Sequence, residues 1–271
     1  MYGSARLIAS LLLALLLCST ATAAESSRQV QSVKPVSLVQ VGVIDALLAG
    51  GYEGSLTLKE LRGLGDFGLG TFDALDGELV LLDGVVYQVP ASGHVARPSD
   101  SLTTPFAQAT RLTTGKGLTL SPGLDLKAVE ASLDAALGDV NCFAAARIEG
   151  RFSTLTARSV PRQTAPYRPL SEVAKEQSMF PFTGVQGTLV GLRGPAFVRG
   201  LGVPGWHWHF LTKDRTRGGH VLAFVLAPEG KAQAQLQPLR RFELILPERG
   251  LSGMDLARDR SKELHAVEAG Q

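Results

Sequence analysis

Three of the five histidines in this 271-residue chain fall in one short segment, Trp206-His207-Trp208-His209-Phe210 followed by Gly218-Gly219-His220. On an extended strand, residues two apart point to the same face. His207 and His209 therefore project together, and Trp206, Trp208 and Phe210 project to the other side. The stretch between the two groups is turn-rich, with Lys213-Asp214 and Gly218-Gly219. A hairpin there brings His220 opposite His209, with cross-strand Cβ atoms about 5 Å apart. Three imidazoles on one hairpin face suit a transition metal. Three nitrogen ligands leave a tetrahedral ion one open position, the pattern of a catalytic rather than a structural zinc. A lone His-x-His pair is common among ordinary half-buried histidines. The third histidine beyond the Gly-Gly turn favours metal. His94 and His265 are isolated and receive no role.

The elements that must position this cluster are mostly strands. Gly187 to Leu192, Gly205–Thr212, residues 220–227 and residues 242–246 all read as strands, and residues 142–157 read as one long strand with room for a bend at Gly150. Asp76-Gly77 and Asp83-Gly84 are hairpin signals on either side of Glu78–Leu82. Apolar spacing predicts a helix over residues 38–48, ended by Gly50-Gly51, and a second over Leu126–Leu137, closed by Gly138. Residues 57–64 read as a short helix or turn. Shorter helices are expected over 171–177 and in the polar tail from 255 to 267. A boundary near 160–180 is compatible with the pattern, and so is one sheet shared by strands on both sides of it.

Composition narrows the function classes. A 45% hydrophobic content supports a packed core and excludes wholesale disorder. A formal net charge of +2, without a run of five like charges, argues against a nucleic-acid partner. Two cysteines exclude a disulfide scaffold. Arg6, the apolar run of residues 7–17 and Ala21-Thr22-Ala23 have the pattern of a secretory signal peptide over residues 1–23. That run is too short to span a bilayer of about 30 Å comfortably. Export follows as an expectation, to the periplasm or beyond, with no membrane partner after removal of the signal. Residues 24–37 are polar and read as a flexible arm. Cys142 then remains alone within an apolar run, where burial is expected.

The chain resembles the α-acetolactate decarboxylase family. The residues that carry the resemblance are Gly50-Gly51-Tyr52-Glu53-Gly54, Gly65-Asp66-Phe67-Gly68-Leu69-Gly70-Thr71-Phe72, Leu75-Asp76-Gly77-Glu78, Thr104-Pro105-Phe106-Ala107, Arg158-Ser159-Val160-Pro161 with Pro166-Tyr167, and Gly187-Thr188-Leu189-Val190-Gly191, ending in the histidine segment. They run in order through about residues 38–268. Trp206 and Trp208 depart from the family pattern in being bulkier than expected beside the histidine pair.

The resemblance implies an α/β, β-rich fold in two parts. A mixed sheet would occupy residues 38–170, and a second β-rich part with the metal and the C-terminal tail would occupy 171–271. It implies a homodimeric, Zn2+-dependent enzyme converting 2-acetolactate to acetoin and carbon dioxide, through a metal-stabilised enediolate protonated on one face. The metal ligands would be His207, His209 and His220. Glu78, Arg158 and a tail glutamate would line the pocket, with Glu268 favoured over Glu263 because it follows Val267 at the chain end. Thr71 matches a pocket segment and joins the candidates. Arginine suits a planar carboxylate through paired N–H donors, and a carboxyl with a raised pKa suits proton delivery to carbon. Two other readings use the same histidines: an exported zinc hydrolase with Glu78 as base, and a non-catalytic metal-binding protein.

Overall fold

The computed structural model describes residues 36–113 and 115–270. The expected signal segment and most of the expected arm lie outside them. In chain order the strands are β1 Leu38–Val41, β2 Leu56–Thr57, β3 Phe67–Thr71, β4 Glu78–Leu82, β5 Val85–Val89, β6 Thr103–Thr104, β7 Ala107–Thr110, β8 Lys116–Leu120, β9 Phe143–Ser159, β10 Ser178–Gly194, β11 Gly205–Thr212, β12 Gly218–Leu226, β13 Ala232–Leu239 and β14 Phe242–Ile245. The α-helices are α1 Ile44–Leu48, α2 Leu58–Leu64, α3 Leu126–Leu137, α4 Leu170–Val173 and α5 Ser261–Ala269. No described helix is long and apolar enough to cross a membrane.

Two six-stranded sheets carry the fold. The first runs β14-β1-β7-β3-β4-β5 and is mixed, because β1 and β14 pair in parallel while its other pairs are antiparallel. The second runs β10-β11-β12-β9-β13-β8 and is antiparallel throughout. Its long strand β9 also pairs with β10, so β9, β10, β11 and β12 form a closed circuit of ladders. A circuit removes the free edges that β9 and β10 would otherwise expose.

The expected division at residue 170 is not where the sheets divide. β9, at 143–159, belongs to the same sheet as β10 to β13, and the chain leaves the first sheet after β7 and returns to it with β14. The ladder between β9 and β10 runs from Ser178 opposite Ser159 to Arg193 opposite Ala144. Those interstrand bonds outweigh the local break that Pro161, Pro166 and Pro169 introduce.

Between the sheets lies an apolar layer. Leu38, Leu69, Val80 and Val89 of the first meet Ala145, Val190, Leu192 and Leu211 of the second. Each fully buried side chain of this kind contributes about 1.5–3 kcal/mol. The outer face of the second sheet is closed by α3 through Val129 and Leu133. Helices α1, α4 and α5 gather Ile44, Leu47, Leu170, Val173, Leu264 and Val267 into a third cluster, beside the histidines.

Local signals explain most elements. Thr57 caps α2 with a reciprocal pair: its hydroxyl accepts from the Glu60 amide, and the Glu60 carboxylate accepts from the Thr57 amide at 2.9 Å. Asp125 caps α3 by accepting from the Ala128 amide at 2.8 Å, and left-handed Gly138 ends it. Asp83 and Gly84 both take positive φ, as the tight turn between β4 and β5 requires. Asp76-Gly77 instead ends a longer connection containing a 3-10 turn at Asp73–Leu75.

The helix expected over 38–48 is only half present. Leu38–Val41 is a strand with all four residues buried, and Ile44–Leu48 alone is helical. β1 lies between β14 and β7, and buried central strands read as unbroken apolar runs that periodicity cannot separate from a buried helix. β13 had no sequence signal because its Ala and Gln residues are weak strand formers. Its partners β9 and β8 hold it in place.

Candidate metal centre

The ladder registers of the second sheet align three site residues in one row. β11 places His209 opposite His220 of β12, and β12 places His220 opposite Arg158 of β9. His207 lies two residues before His209 on the same face. One ligating nitrogen from each of the three imidazoles falls within 4.8 Å of the others. Glu78 comes from the first sheet, where it opens β4 opposite Thr71. Face-to-face packing of the sheets brings it to Arg158, whose Nη1 donates to Glu78 Oε1 at 2.8 Å. Glu268 arrives on α5, with Oε2 3.8 Å from Nε2 of both His207 and His220. Of the two tail glutamates, Glu263 is turned away and paired with Arg258 at 2.6 Å.

Thr71 lines the cavity and is buried, but its hydroxyl donates to the Gly77 carbonyl at 2.8 Å. That bond secures the turn leading into Glu78. Ile44, Leu47, Phe106, Leu170 and Val267 form the apolar wall. The cavity is narrow, about 40 Å³, room for only a few waters. A larger groove of about 540 Å³ lies elsewhere on the second sheet, between Arg151 and Lys231, and no histidine or cysteine lines it. Cys142 is buried and away from the cavity, its thiol 3.2 Å from the Asp139 carbonyl.

Two parts of the site carried no usable sequence signal. The Leu79 carbonyl accepts from His209 Nδ1 at 2.8 Å, and a backbone acceptor leaves no trace in residue type. Ile44 and Leu47 were visible as apolar residues, but their role depends on α1 being separate from β1.

The environment keeps these groups neutral and able to ligate a metal rather than carry charge. Burial drives the His207 pKa down to about 3, helped by the Arg158 charge. Burial likewise pushes His209 and His220 well below the ordinary histidine value, with neighbouring imidazoles and Arg158 adding to it. All three are neutral at physiological pH and keep a lone pair. The Leu79 contact puts the His209 proton on Nδ1, leaving Nε2 as the acceptor. That Nε2 is buried without a hydrogen-bond partner, as is Nδ1 of His207. Buried ring nitrogens without partners are costly unless something fills them, and a divalent transition metal would do so.

The carboxyls move the other way. Burial raises Glu78 to about 7 despite the opposing Arg158 charge, and Glu268 adds to the rise. Burial also raises Glu268 to about 7 against Arg158. The Glu268 side chain keeps 22% exposure against 6% for Glu78, so Glu268 is the carboxyl that solvent protons reach.

Comparison with known proteins agrees with this geometry. The alpha-acetolactate decarboxylase family model matches residues 38–252. The chain belongs to the alpha-acetolactate decarboxylase family. The alpha-acetolactate decarboxylase of Methanosarcina mazei is 42% identical over 232 residues, 85% of this chain and 80% of that protein. The one from Brevibacillus brevis is 36% identical over 275 residues, 98% and 95% of the two chains. Among solved structures, the alpha-acetolactate decarboxylase of Bacillus subtilis strain 168 superposes with a TM-score of 0.83 at 31% identity, covering 87% of this chain and all of that one. The matched family span contains Thr71, Glu78, Arg158 and the three histidines. Glu268 lies beyond it, so the position of Glu268 rests on the docking of α5.

Proposed function

We propose that this chain is a zinc-dependent decarboxylase of 2-acetolactate, releasing carbon dioxide and acetoin. The observation that carries the reading is one narrow cavity holding three neutral imidazoles, a buried guanidinium and two carboxyls with pKa values near neutrality, in a chain of this family. His207, His209 and His220 would hold the zinc. Bound there, zinc would supply Lewis acidity toward the oxygens of the substrate.

The chain's own residues account for the rest. Arg158 orients the substrate carboxylate through its guanidinium, one edge of which is already fixed by Glu78. Its Nε is buried and unpartnered, so the group has a donor to offer. The bond from the carboxylate to its carbon breaks, carbon dioxide leaves, and the electron pair moves into the adjacent ketone. The apolar wall of Ile44, Leu47 and Leu170 excludes bulk water while that charge exists. A proton must then reach carbon from one side. Glu78 and Glu268, whose burial favours the protonated form, are placed to carry that proton as the negative charge building on the substrate offsets that of the metal. Glu268 recovers it from solvent. A Glu78 carboxyl held against Arg158 approaches from one face only, which would yield a single acetoin enantiomer. Thr71 acts through Gly77 to hold Glu78.

The hydrolase and metal-carrier readings have no counterpart in the family match. Export after removal of residues 1–23 and homodimer formation complete the proposal. N-terminal sequencing of the native protein should begin at Ala24, and an intact Met1 would overturn export; light scattering tests the dimer. For the reaction, purified protein given racemic acetolactate should release acetoin and contain about one zinc per chain. His209→Ala should lose both. Full metal content and activity in that variant would remove the histidine cluster from the mechanism.

A further inference from the structure

The metal-bearing strand β11 has a second face, and that face is tied to one helix by two matched hydrogen bonds. Trp208 Nε1 donates to Glu130 Oε1 at 3.0 Å, and Trp206 Nε1 donates to Asp134 Oδ1 at 2.9 Å. Asp134 Oδ1 also accepts from Arg193 Nε at 2.8 Å. Arg193 lies on β10 directly opposite Trp206, and its Nη1 donates to the carbonyls of Val140 and Cys142 at 3.0 and 3.2 Å. The two indoles stack on each other at 4.9 Å, 16° from parallel. They are the only two tryptophans in the chain.

The spacing makes these bonds a register device. Glu130 and Asp134 are one turn apart on α3, a rise of about 6 Å. Trp206 and Trp208 are two residues apart on β11, a rise of about 6.6 Å. The two carboxylates and the two indoles therefore match as a pair. Sliding β11 by one residue would bring the histidines to the helix and take both indole N–H donors, buried Trp208 and half-buried Trp206, away from their acceptors. His207 lies between the two indoles in sequence, and His209 follows Trp208, so fixing the indoles fixes the backbone from which both imidazoles project.

We propose that Glu130 and Asp134 are positioning residues for the metal ligands, acting through Trp208 and Trp206 to set the separation and orientation of His207 and His209. The proposal rests on the metal reading of the site. It assigns a role to both tryptophans of the chain. None of the four side chains lines the histidine cavity.

The test measures metal geometry rather than turnover. The chain is prepared without metal and loaded with Co2+, whose visible absorption reports ligand angles, and zinc affinity is measured by competition with a chromophoric chelator. Glu130→Met removes the acceptor and keeps the bulk, Glu130→Gln keeps an oxygen acceptor, and Trp208→Phe removes the donor while leaving an aromatic ring in the core. Glu130→Met and Trp208→Phe should each weaken zinc binding roughly tenfold or more, the low end for groups that orient ligands from outside the coordination sphere, and alter the Co2+ spectrum. Glu130→Gln should restore both toward wild type. The double variant Glu130→Met with Trp208→Phe should lose little more than either single change. If Glu130→Met fails to fold, Trp208→Phe against Glu130→Gln carries the comparison. Variants that melt earlier yet keep the wild-type Co2+ spectrum and zinc affinity would reduce the bonds to plain stabilisation and overturn the proposal. A wild-type chain that takes up neither Co2+ nor zinc would overturn the metal reading itself.

Discussion

Loading the metal-free protein with zinc should expel protons from carboxyls and not from imidazoles. The buried histidines have nothing to release, since the His207 pKa is about 3 and those of His209 and His220 are held well below the ordinary value. Glu78 and Glu268 titrate near 7, so at pH 5.5 the pair holds almost two protons. A divalent ion about 4 Å from a carboxylate attracts it by roughly 8 kcal/mol at an effective dielectric of 20. That is enough to lower the carboxyl pKa by several units. Metal-free carboxyls with raised pKa values thus become ionised on loading, and zinc affinity rises with pH up to about 7. Calorimetry at pH 5.5 in buffers of different ionisation enthalpy should therefore count nearly two protons released per zinc. Glu268→Gln leaves the Arg158–Glu78 pair intact and should lower the count to about one. Three ordinary histidines would instead release about 2.7 protons at that pH and would be indifferent to Glu268→Gln. A count near three that the variant leaves unchanged would refute the argument that burial has already neutralised the imidazoles.

Arg158→Lys keeps the charge but loses the planar fork. Steady-state kinetics should show kcat/KM falling roughly tenfold or more, about 1.4 kcal/mol at the transition state, with zinc content unchanged. Truncation after Ala266 removes Val267 and Glu268 while keeping Leu264 in the core cluster. Chiral chromatography of the product should show lost or racemising acetoin formation with metal retained, and enantiopure acetoin at the wild-type rate would leave Glu78 as the sole proton carrier.

Much of the site was legible because it rests on short-range geometry. The two-residue repeat of a strand sets His207 and His209 on one face whatever else the chain does, and the turn at residues 213–216 returns His220 to them, with Gly218 and Gly219 already in β12. Asp125 and Gly138 bound α3 by satisfying its own terminal amides and carbonyls. The family motifs around Glu78 and Arg158 mark those residues without saying what they touch.

Tertiary structure decided the rest, because each remaining feature depends on partners distant in sequence. Glu78 meets Arg158 across 80 positions, from two different sheets. Residues 38–41 became a strand because β7 and β14 flank them, although their apolar spacing equally fits a helix. Of two tail glutamates with similar surroundings in sequence, the docking of α5 through Leu264 and Val267 turned Glu268 toward the histidines and Glu263 toward Arg258. Neutral histidines and half-protonated carboxyls follow from enclosure. The sequence by itself determined which groups could do the chemistry. Their charge states are a property of burial in the folded cavity, since removing water penalises every charged form and no residue type encodes how much water will be removed.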